Sequence, residues 1–138
     1  MTIYCIESFK NALEKLSKKK PYKSLEQEII SYFFNKPVAE LISGTRLNNS
    51  NTEPYIKKRL DGSGGFRLYF LILIKNDNLY LMFVHPKAGP GGADNSDDNY
   101  KALLYKKVLQ SIRDQDLYLL QLNTEQNKIH FKHLNNSF

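Results

Sequence analysis

The sequence predicts an α+β protein: an antiparallel β-sheet with an N-terminal α-helical hairpin packed on it, plus a C-terminal helix and a β-hairpin. Three observations predict this class. Two amphipathic helical segments follow a short first strand, three β-type segments occupy residues 55–84, and a last helical segment precedes two further β-type segments. The 138 residues are enough for one compact domain and not comfortably for two, so we predict a single domain over residues 1–138.

The composition is typical of a globular protein, with 41% hydrophobic and 25% charged residues. The formal net charge of +6 favours an anionic partner, which includes nucleic acid, an anionic membrane surface or an acidic protein. The longest apolar run, residues 68–74, is far too short to span a bilayer, and residues 1–10 lack the pattern of a secretory signal. The single cysteine, Cys5, excludes an intramolecular disulfide, and we expect a buried thiol in a cytoplasmic protein.

The N-terminal segment is predicted to form one strand and one helix. Residues 2–6 alternate between apolar and polar side chains, as a short strand does. Ser8 is a candidate N-cap for the helix, and Pro21 stops it. The apolar face of this helix has helical spacing and consists of Phe9, Leu13 and Leu16.

A second helix is predicted from Ser24 to about residue 35. Ser24 and Gln27 form a capping-box pattern, and the apolar stripe consists of Leu25, Ile29, Ile30 and Phe33. The lysines at the junction of the two helices (residues 18–20 and 23) are interpreted as a solvated helix end rather than a dedicated binding patch. Residues 38–42 fit either a short strand or further helical structure.

Residues 55–84 carry the strongest β signal. Residues 55–60 are a strand candidate, and the glycine-rich residues 61–65 are a turn rather than a phosphate-binding loop, because no Lys-Ser or Lys-Thr pair and no helix follow. Residues 66–74 are apolar on both alternating faces, which is typical of a strand inside a sheet. A hairpin turn at residues 75–78 leads to a returning strand at 79–84, so the three strands form an antiparallel meander.

The remaining residues are predicted to form a loop, a helix and a hairpin. The loop, residues 88–99, is rich in glycine, asparagine and aspartate, but it lacks the spacing and the closing glutamate of a calcium-binding loop. The helix, residues 100–112, has an apolar stripe that consists of Leu103, Leu104, Val108 and Ile112.

The last two β-type segments, residues 117–122 and 128–134, are predicted to pair as a C-terminal hairpin. His130 and His133 are three residues apart and point to opposite faces of a strand. They are therefore not interpreted as a pair of metal ligands, and we predict neither a metal nor a cofactor.

The candidate site consists of cations and one histidine at the ends of the central strands. They are Lys57, Lys58, Arg59, Arg67, His85 and Lys87. RNA cleavage through the 2′-hydroxyl requires removal of its proton, stabilisation of added phosphate charge and protonation of the leaving 5′-oxygen. Histidine serves as acid or base near neutral pH, arginine and lysine stabilise phosphate charge, and closely packed lysines lower one another's pKa towards a general-base role. These residues predict metal-independent RNA cleavage, and the alternative is that they are solvent-facing charges.

The register of the strands decides whether Arg67 and His85 meet. Pairing that sets Ile74 opposite Leu79 also sets Leu68 opposite His85, and Arg67 then lies on the other face. A bulge or a one-residue slip would bring Arg67 and His85 to the same face. The sequence leaves both arrangements open.

Residues 58–69, KRLDGSGGFRLY, carry the most specific part of a family resemblance. A short strand, the lysine-rich helix FKNALEKLSKKK and a second helix precede them, and the strand NLYLMFVHPK follows. This order resembles the RelE/ParE superfamily of bacterial toxins from toxin–antitoxin systems, over about residues 2–112. Relative to that family, the loop at 88–99 and the hairpin at 117–134 are additional.

The resemblance implies a small α+β domain with one of two activities. RelE-like members cleave messenger RNA, commonly in the ribosomal A site, with basic residues rather than a metal. ParE-like members inhibit DNA gyrase. The resemblance also implies a cognate antitoxin that wraps the basic face.

The resemblance further implies a role for each candidate residue. Lys57 or Lys58 would take the role of the basic strand. Arg67 would stabilise the phosphate, and His85 or Lys87 would be the acid. The predicted catalytic residues are Lys57, Arg67 and His85, and the predicted substrate-binding residues are Lys58, Arg59 and Lys87. The favoured function is a toxin-like mRNA interferase that cleaves RNA, free or on the ribosome; the alternative is a non-enzymatic toxin or binding module, such as a gyrase inhibitor.

Overall fold

A computed structural model describes residues 1–60, 65–86 and 98–134 of the chain. The helices in these ranges are α1 (Glu7–Ser17), α2 (Leu25–Phe33), α3 (Val38–Leu41) and α4 (Asp98–Asp114). The strands are β1 (Thr2–Cys5), β2 (Thr45–Arg46), β3 (Tyr55–Leu60), β4 (Phe66–Leu73), β5 (Asn78–Pro86), β6 (Tyr118–Asn123) and β7 (Lys128–His133). Short 3₁₀ turns lie at Lys20–Tyr22 and Ile74–Asn76.

All of these strands belong to one sheet with the order β2-β3-β4-β5-β1-β6-β7. The predicted α+β class, the meander of β3, β4 and β5, and the C-terminal hairpin of β6 and β7 are confirmed. The sheet is mixed rather than wholly antiparallel, because β1 pairs with β5 in parallel. The N-terminal strand therefore lies inside the sheet, between the meander and the C-terminal hairpin.

The first three helices cover one face of the sheet, which we call the hairpin face. Phe33 of α2 contacts Phe70 of β4 edge-to-face, with their ring centroids 5.1 Å apart. Residues at helical spacing in α1 complete this core, as predicted: Phe9, Leu13 and Leu16 are all buried. The side chains of β4 that alternate with Phe70, at Leu68 and Ile72, join the same cluster.

The other face of the sheet is covered by α4, and we call it the α4 face. Leu104 and Val108 of α4 are buried there against a cluster that includes Tyr69 and Leu71 of β4. Both alternating sets of β4 are thus buried, which explains why this strand is apolar throughout. The predicted apolar stripe of α4 is wrong at one position, because Leu103 is 58% exposed.

Local signals at the helix ends were less informative than the apolar spacing. Helix α1 begins at Glu7, so Ser8 is not its N-cap. Ser24 is the N-cap of α2 but makes no capping bond, and its hydroxyl contacts the Glu28 carboxylate instead at 3.3 Å. The predicted capping box is therefore wrong, since the Gln27 amide donates to the Asn127 carbonyl of the C-terminal hairpin.

The structure settles one alternative that the sequence left open and moves one predicted helix boundary. Residues 38–42 contain α3, so the helical alternative holds. Helix α4 begins at Asp98, two residues earlier than predicted. Residues 88–97 of the predicted loop 88–99 lie outside the described residues, and its last two residues, 98 and 99, belong to α4.

The single cysteine is a core residue, as expected. Cys5 has no exposed surface, and burial raises the pKa of its thiol. The thiol therefore stays protonated at neutral pH, which makes it a poor nucleophile. Among the described residues, no helix is long and apolar enough to cross a membrane.

Two adjacent leucines of α4 test the assignment of its buried side. We expect Leu104→Ala to lower the free energy of unfolding by about 2–5 kcal/mol, because it leaves a cavity on the α4 face. Leu103→Ala removes the same atoms from an exposed position and should change that free energy by less than about 0.5 kcal/mol. Urea denaturation measures both values. Equal losses in the two variants would contradict the packing of α4.

Candidate functional site

A β-bulge in β5 decides which side chains meet at the end of the sheet. Tyr69 pairs with Phe83, but the next residue, Phe70, pairs with Leu81, so Met82 is an extra residue in β5. Because a bulge shifts the alternation by one position, the strand beyond it presents the opposite set of side chains to each face.

The bulge, together with a turn that begins one residue earlier than predicted, brings Arg67 opposite His85. The turn closes on the pair Leu73 and Asn78 rather than on the expected Ile74 and Leu79. The expected pairing of Leu68 with His85 is wrong, since Leu68 pairs with Val84.

Ser8 supports the bulge from α1. Its hydroxyl donates a 3.0 Å hydrogen bond to the carbonyl oxygen of Met82, the extra residue. Met82 is fully buried, so this carbonyl would otherwise bear the cost of lost hydration. Just before Ser8, the Ile6 amide donates to the Leu81 carbonyl at 3.1 Å. The start of α1 therefore holds the irregular part of β5.

Three charged or titratable residues form a row across the strands. Arg59 of β3 pairs with Arg67 of β4, and Arg67 pairs with His85 of β5. Directly paired residues point to the same face, and neighbouring strands lie about 5 Å apart, so the row spans roughly 10 Å. The partners Tyr69 and Phe83, two positions along β4 and β5, identify this as the α4 face.

Lys57 lies on the same face, one row further along the strands. It pairs with Tyr69, and alternation along β3 puts it on the side of Arg59. Lys57 and Arg67 are half-buried, Arg59 is exposed and His85 is 3% exposed. The structure thus brings together all three predicted catalytic residues and one of the predicted substrate-binding residues. We call the three residues of this row, Arg59, Arg67 and His85, together with Lys57 of the next row, the cationic row.

The environment of His85 determines its tautomer. Its Nδ1 lies 2.8 Å from the Pro86 carbonyl oxygen, which only accepts hydrogen bonds, so Nδ1 carries a proton. In the neutral ring, Nε2 is then the acceptor, and it lies 3.4 Å from the Tyr69 hydroxyl. The Phe83 ring also lies beside the imidazole, with centroids 5.9 Å apart. His85 is therefore held in one orientation, with the lone pair of Nε2 towards Tyr69.

Two tyrosines that were not among the predicted site residues, Tyr69 and Tyr100, lie near the cationic row. Tyr69 lies two positions from Arg67 on β4, a spacing that puts them on one face once that strand is recognised. Tyr100 of α4 contacts Phe83 edge-to-face, with centroids 5.7 Å apart. Burial and the neighbouring Tyr69 raise the pKa of Tyr100. This tyrosine therefore stays neutral at neutral pH.

Lys58 does not join the other cations. Alternation along β3 puts it on the hairpin face, where its Nζ lies 5.7 Å from the centroid of the Tyr32 ring. Lys36 approaches the same ring at 5.0 Å. Lys58 is thus separated from Lys57 by the thickness of the sheet, although the two are adjacent in sequence.

The remaining predicted features of the site lie outside the described residues. They are Lys87 and most of the glycine turn, residues 61–64. Gly65, the last turn residue, has a φ of 65°, a conformation that glycine adopts at no steric cost. Within residues 1–60, 65–86 and 98–134, no group of three or more metal-binding side chains is close enough to hold an ion.

Comparison with known proteins gives no further assignment. No protein-family model matches the chain. A search of curated proteins and a search of solved structures likewise found no match.

The role of Ser8 at the bulge predicts a stability effect. We expect Ser8→Ala to lower the free energy of unfolding by about 1–3 kcal/mol, because the Met82 carbonyl loses its donor. Ser31→Ala, at an exposed position of α2, is the matched control and should change it by less than about 0.5 kcal/mol. Urea denaturation of both variants gives the comparison. A Ser8→Ala protein as stable as the control would show that the bulge does not need this hydrogen bond.

The hydrogen bonds of His85 predict its tautomer. We expect nitrogen-15 NMR at neutral pH to show the proton of the neutral ring on Nδ1, because the Pro86 carbonyl accepts from it. Exposed His130 provides a reference within the same molecule. A proton on Nε2 instead of Nδ1 would contradict the described orientation of His85.

Proposed function

We propose that this protein is a toxin-like mRNA interferase, a metal-independent endoribonuclease. The observation that carries the proposal is the cationic row: Arg67 lies between Arg59 and His85, with Lys57 on the same face. Cleavage through the 2′-hydroxyl needs phosphate ligands beside an acid and a base, and these residue types supply them. The resemblance of residues 58–69 to the RelE/ParE superfamily supports the same interpretation.

The two arginines bind the scissile phosphate in this proposal. A guanidinium group donates two parallel hydrogen bonds to phosphate oxygens and remains charged at any relevant pH. The phosphate gains negative charge as the 2′-oxygen attacks, so arginines held in place on adjacent strands stabilise the transition state more than the ground state. Arg67 is central because it has Arg59 on one side and His85 on the other.

Lys57 and His85 exchange protons with the substrate in this proposal. Lys57 in its neutral form takes the proton of the 2′-hydroxyl, and protonated His85 gives a proton to the leaving 5′-oxygen. Nε2 is the nitrogen that gives this proton, because Nδ1 donates its own hydrogen bond to the Pro86 carbonyl. At 3.4 Å the Tyr69 contact with Nε2 is long for a hydrogen bond, so substrate displaces it at small cost. Because His85 is only 3% exposed, the leaving 5′-oxygen has to approach Nε2 closely to receive the proton.

The partners follow from the same proposal. The substrate is RNA, either free or on the ribosome, and the formal net charge of +6 favours its approach. A cognate antitoxin neutralises the toxin by covering the cationic row. The site of action is the cytoplasm, where messenger RNA is translated.

Mapping of RNA 5′-ends after brief expression tests the activity. We expect new cleavage ends that disappear in the triple variant Lys57→Ala, Arg67→Ala, His85→Ala. With purified protein and a chelator present, Arg67→Ala alone should slow cleavage by about 10²–10³-fold, because it removes a phosphate ligand. Arg67→Lys keeps the charge but not the paired hydrogen bonds, so its cleavage rate should lie between those of the wild type and Arg67→Ala.

Lys58→Ala is the matched control. It removes the neighbouring positive charge from the opposite face of the sheet, so cleavage should continue at the wild-type rate. Absence of new ends, or cleavage by the triple variant at the wild-type rate, would overturn the nuclease assignment. Inhibition of gyrase without RNA cleavage would establish the non-enzymatic alternative.

A further inference from the structure

A cleft of about 470 Å³ opens on the α4 face, between α4 and the β2–β3 edge of the sheet. Leu47, Tyr55 and Tyr105 give it an apolar lining, and Arg46 and Lys101 also line it. Arg46 pairs with Ile56 of the hairpin face, so it borders the cleft from the edge of the sheet. This volume falls within the range of small-molecule sites. The lining, which combines aromatic rings with cations, suits a ligand that is both planar and anionic.

The aromatic part of the cleft is held in place by its neighbours. The rings of Tyr55 and Tyr105 are stacked, with centroids 5.5 Å apart and planes 20° from parallel. The Tyr55 hydroxyl donates a 3.0 Å hydrogen bond to the Lys101 carbonyl of α4. Tyr55 is buried and Tyr105 is half-buried, so the inner ring supports the outer one. Such a rigid pair can stack with a nucleobase without first having to be ordered.

The wall that carries Arg46 is tied to β3. The Leu47 amide donates to the Tyr55 carbonyl at 2.8 Å, and the Tyr55 amide donates to the Asn48 side chain at 3.0 Å. Gly44, just before this wall, has a φ of 122°, and a Cβ there would lie 2.9 Å from the Lys57 carbonyl oxygen. Glycine therefore allows the wall to pack against β3.

The cleft lies next to the cationic row along β3. Tyr55 precedes Lys57 by two residues on β3, so the two side chains lie on the same face, roughly 7 Å apart. A ligand in the cleft therefore lies beside Lys57. In the next row, Lys57 pairs with Tyr69, whose hydroxyl lies beside His85.

We propose that this cleft binds the base of a single-stranded RNA nucleotide adjacent to the phosphate held by the cationic row. The inference rests on the proposed function for the identity of the substrate. The base stacks with Tyr105, and the sugar–phosphate backbone runs along β3 from Arg46 towards Lys57. Single-stranded nucleic acid is bound by such combinations of stacking rings and a cationic path. A base-paired nucleotide cannot enter, because its edge and faces are occupied within the duplex.

Binding of an uncleavable RNA tests the cleft separately from the cleavage reaction. The probe is a fluorescein-labelled, fully 2′-O-methylated single-stranded hexanucleotide, whose blocked 2′-oxygens cannot attack the phosphates, and the readout is fluorescence anisotropy. We expect Tyr105→Ala to weaken binding by about 5- to 100-fold, the range for loss of one stacking side chain. Tyr105→Phe keeps the ring and should bind like the wild type.

Two further variants keep the test valid if Tyr105→Ala fails to fold. Arg46→Gln removes a charge from an exposed position and should weaken binding and reduce its salt dependence. Ala102→Leu, at an exposed position of α4 that lines the cleft, should weaken binding by partly filling it. Lys58→Ala, on the hairpin face, should leave the affinity unchanged.

The outcomes separate this proposal from the proposed function. If Arg67→Ala weakens binding while folded Tyr105→Ala, Arg46→Gln and Ala102→Leu proteins all bind normally, the base-binding cleft is overturned and the nuclease assignment stands. If the cleft variants weaken binding but the wild type cleaves no RNA, the nuclease assignment fails and the cleft stands. If the wild type does not bind the hexanucleotide, the base-binding cleft is overturned, and the nuclease assignment is decided by the mapping of RNA 5′-ends.

Discussion

The extra residue in β5 is the constraint on which the proposed site depends. Without the bulge at Met82, the strand beyond it would turn His85 to the hairpin face, and Arg67 would face a different partner. The cost of an unpaired carbonyl inside the protein is offset by Ser8, which donates to it from the first turn of α1. A helix that belongs to the hairpin face thus supports the arrangement of side chains on the opposite face.

The sheet separates the positive charges of β3 into two environments. Lys57 and Arg59 lie with Arg67 on the α4 face, whereas Lys58 lies near the Tyr32 ring on the hairpin face. Simple alternation along a strand produces this separation. A count of positive residues in sequence therefore overestimates the charge available to one ligand. Variants at Lys57 and Lys58 therefore change the charge on opposite faces of the sheet, although the two residues are adjacent in sequence.

The cationic row and the tyrosine-lined cleft lie next to each other along β3. The row provides charge and a histidine of defined tautomer, and the cleft provides a stacked pair of rings beside it. Charge alone would bind many anions, while stacking alone would bind many planar molecules. Because of their proximity on one face, we propose single-stranded nucleic acid as the ligand, since it presents phosphates and bases at regular intervals.

From the sequence we predicted the α+β class, the meander, the C-terminal hairpin and most core residues, because apolar periodicity reports directly which side of an element is buried. The residue types of the proposed site were also taken from the sequence. It did not determine the cap of α1, the parallel placement of β1, the exposure of Leu103 or the position of Lys58 relative to a partner ring. The pairing of Arg67 with His85 depends on the inserted residue Met82. The Met82 carbonyl accepts a hydrogen bond from Ser8, which is 74 positions away in sequence. That pairing is visible only in the folded protein, because local sequence carries no signal for a hydrogen bond formed across such a distance.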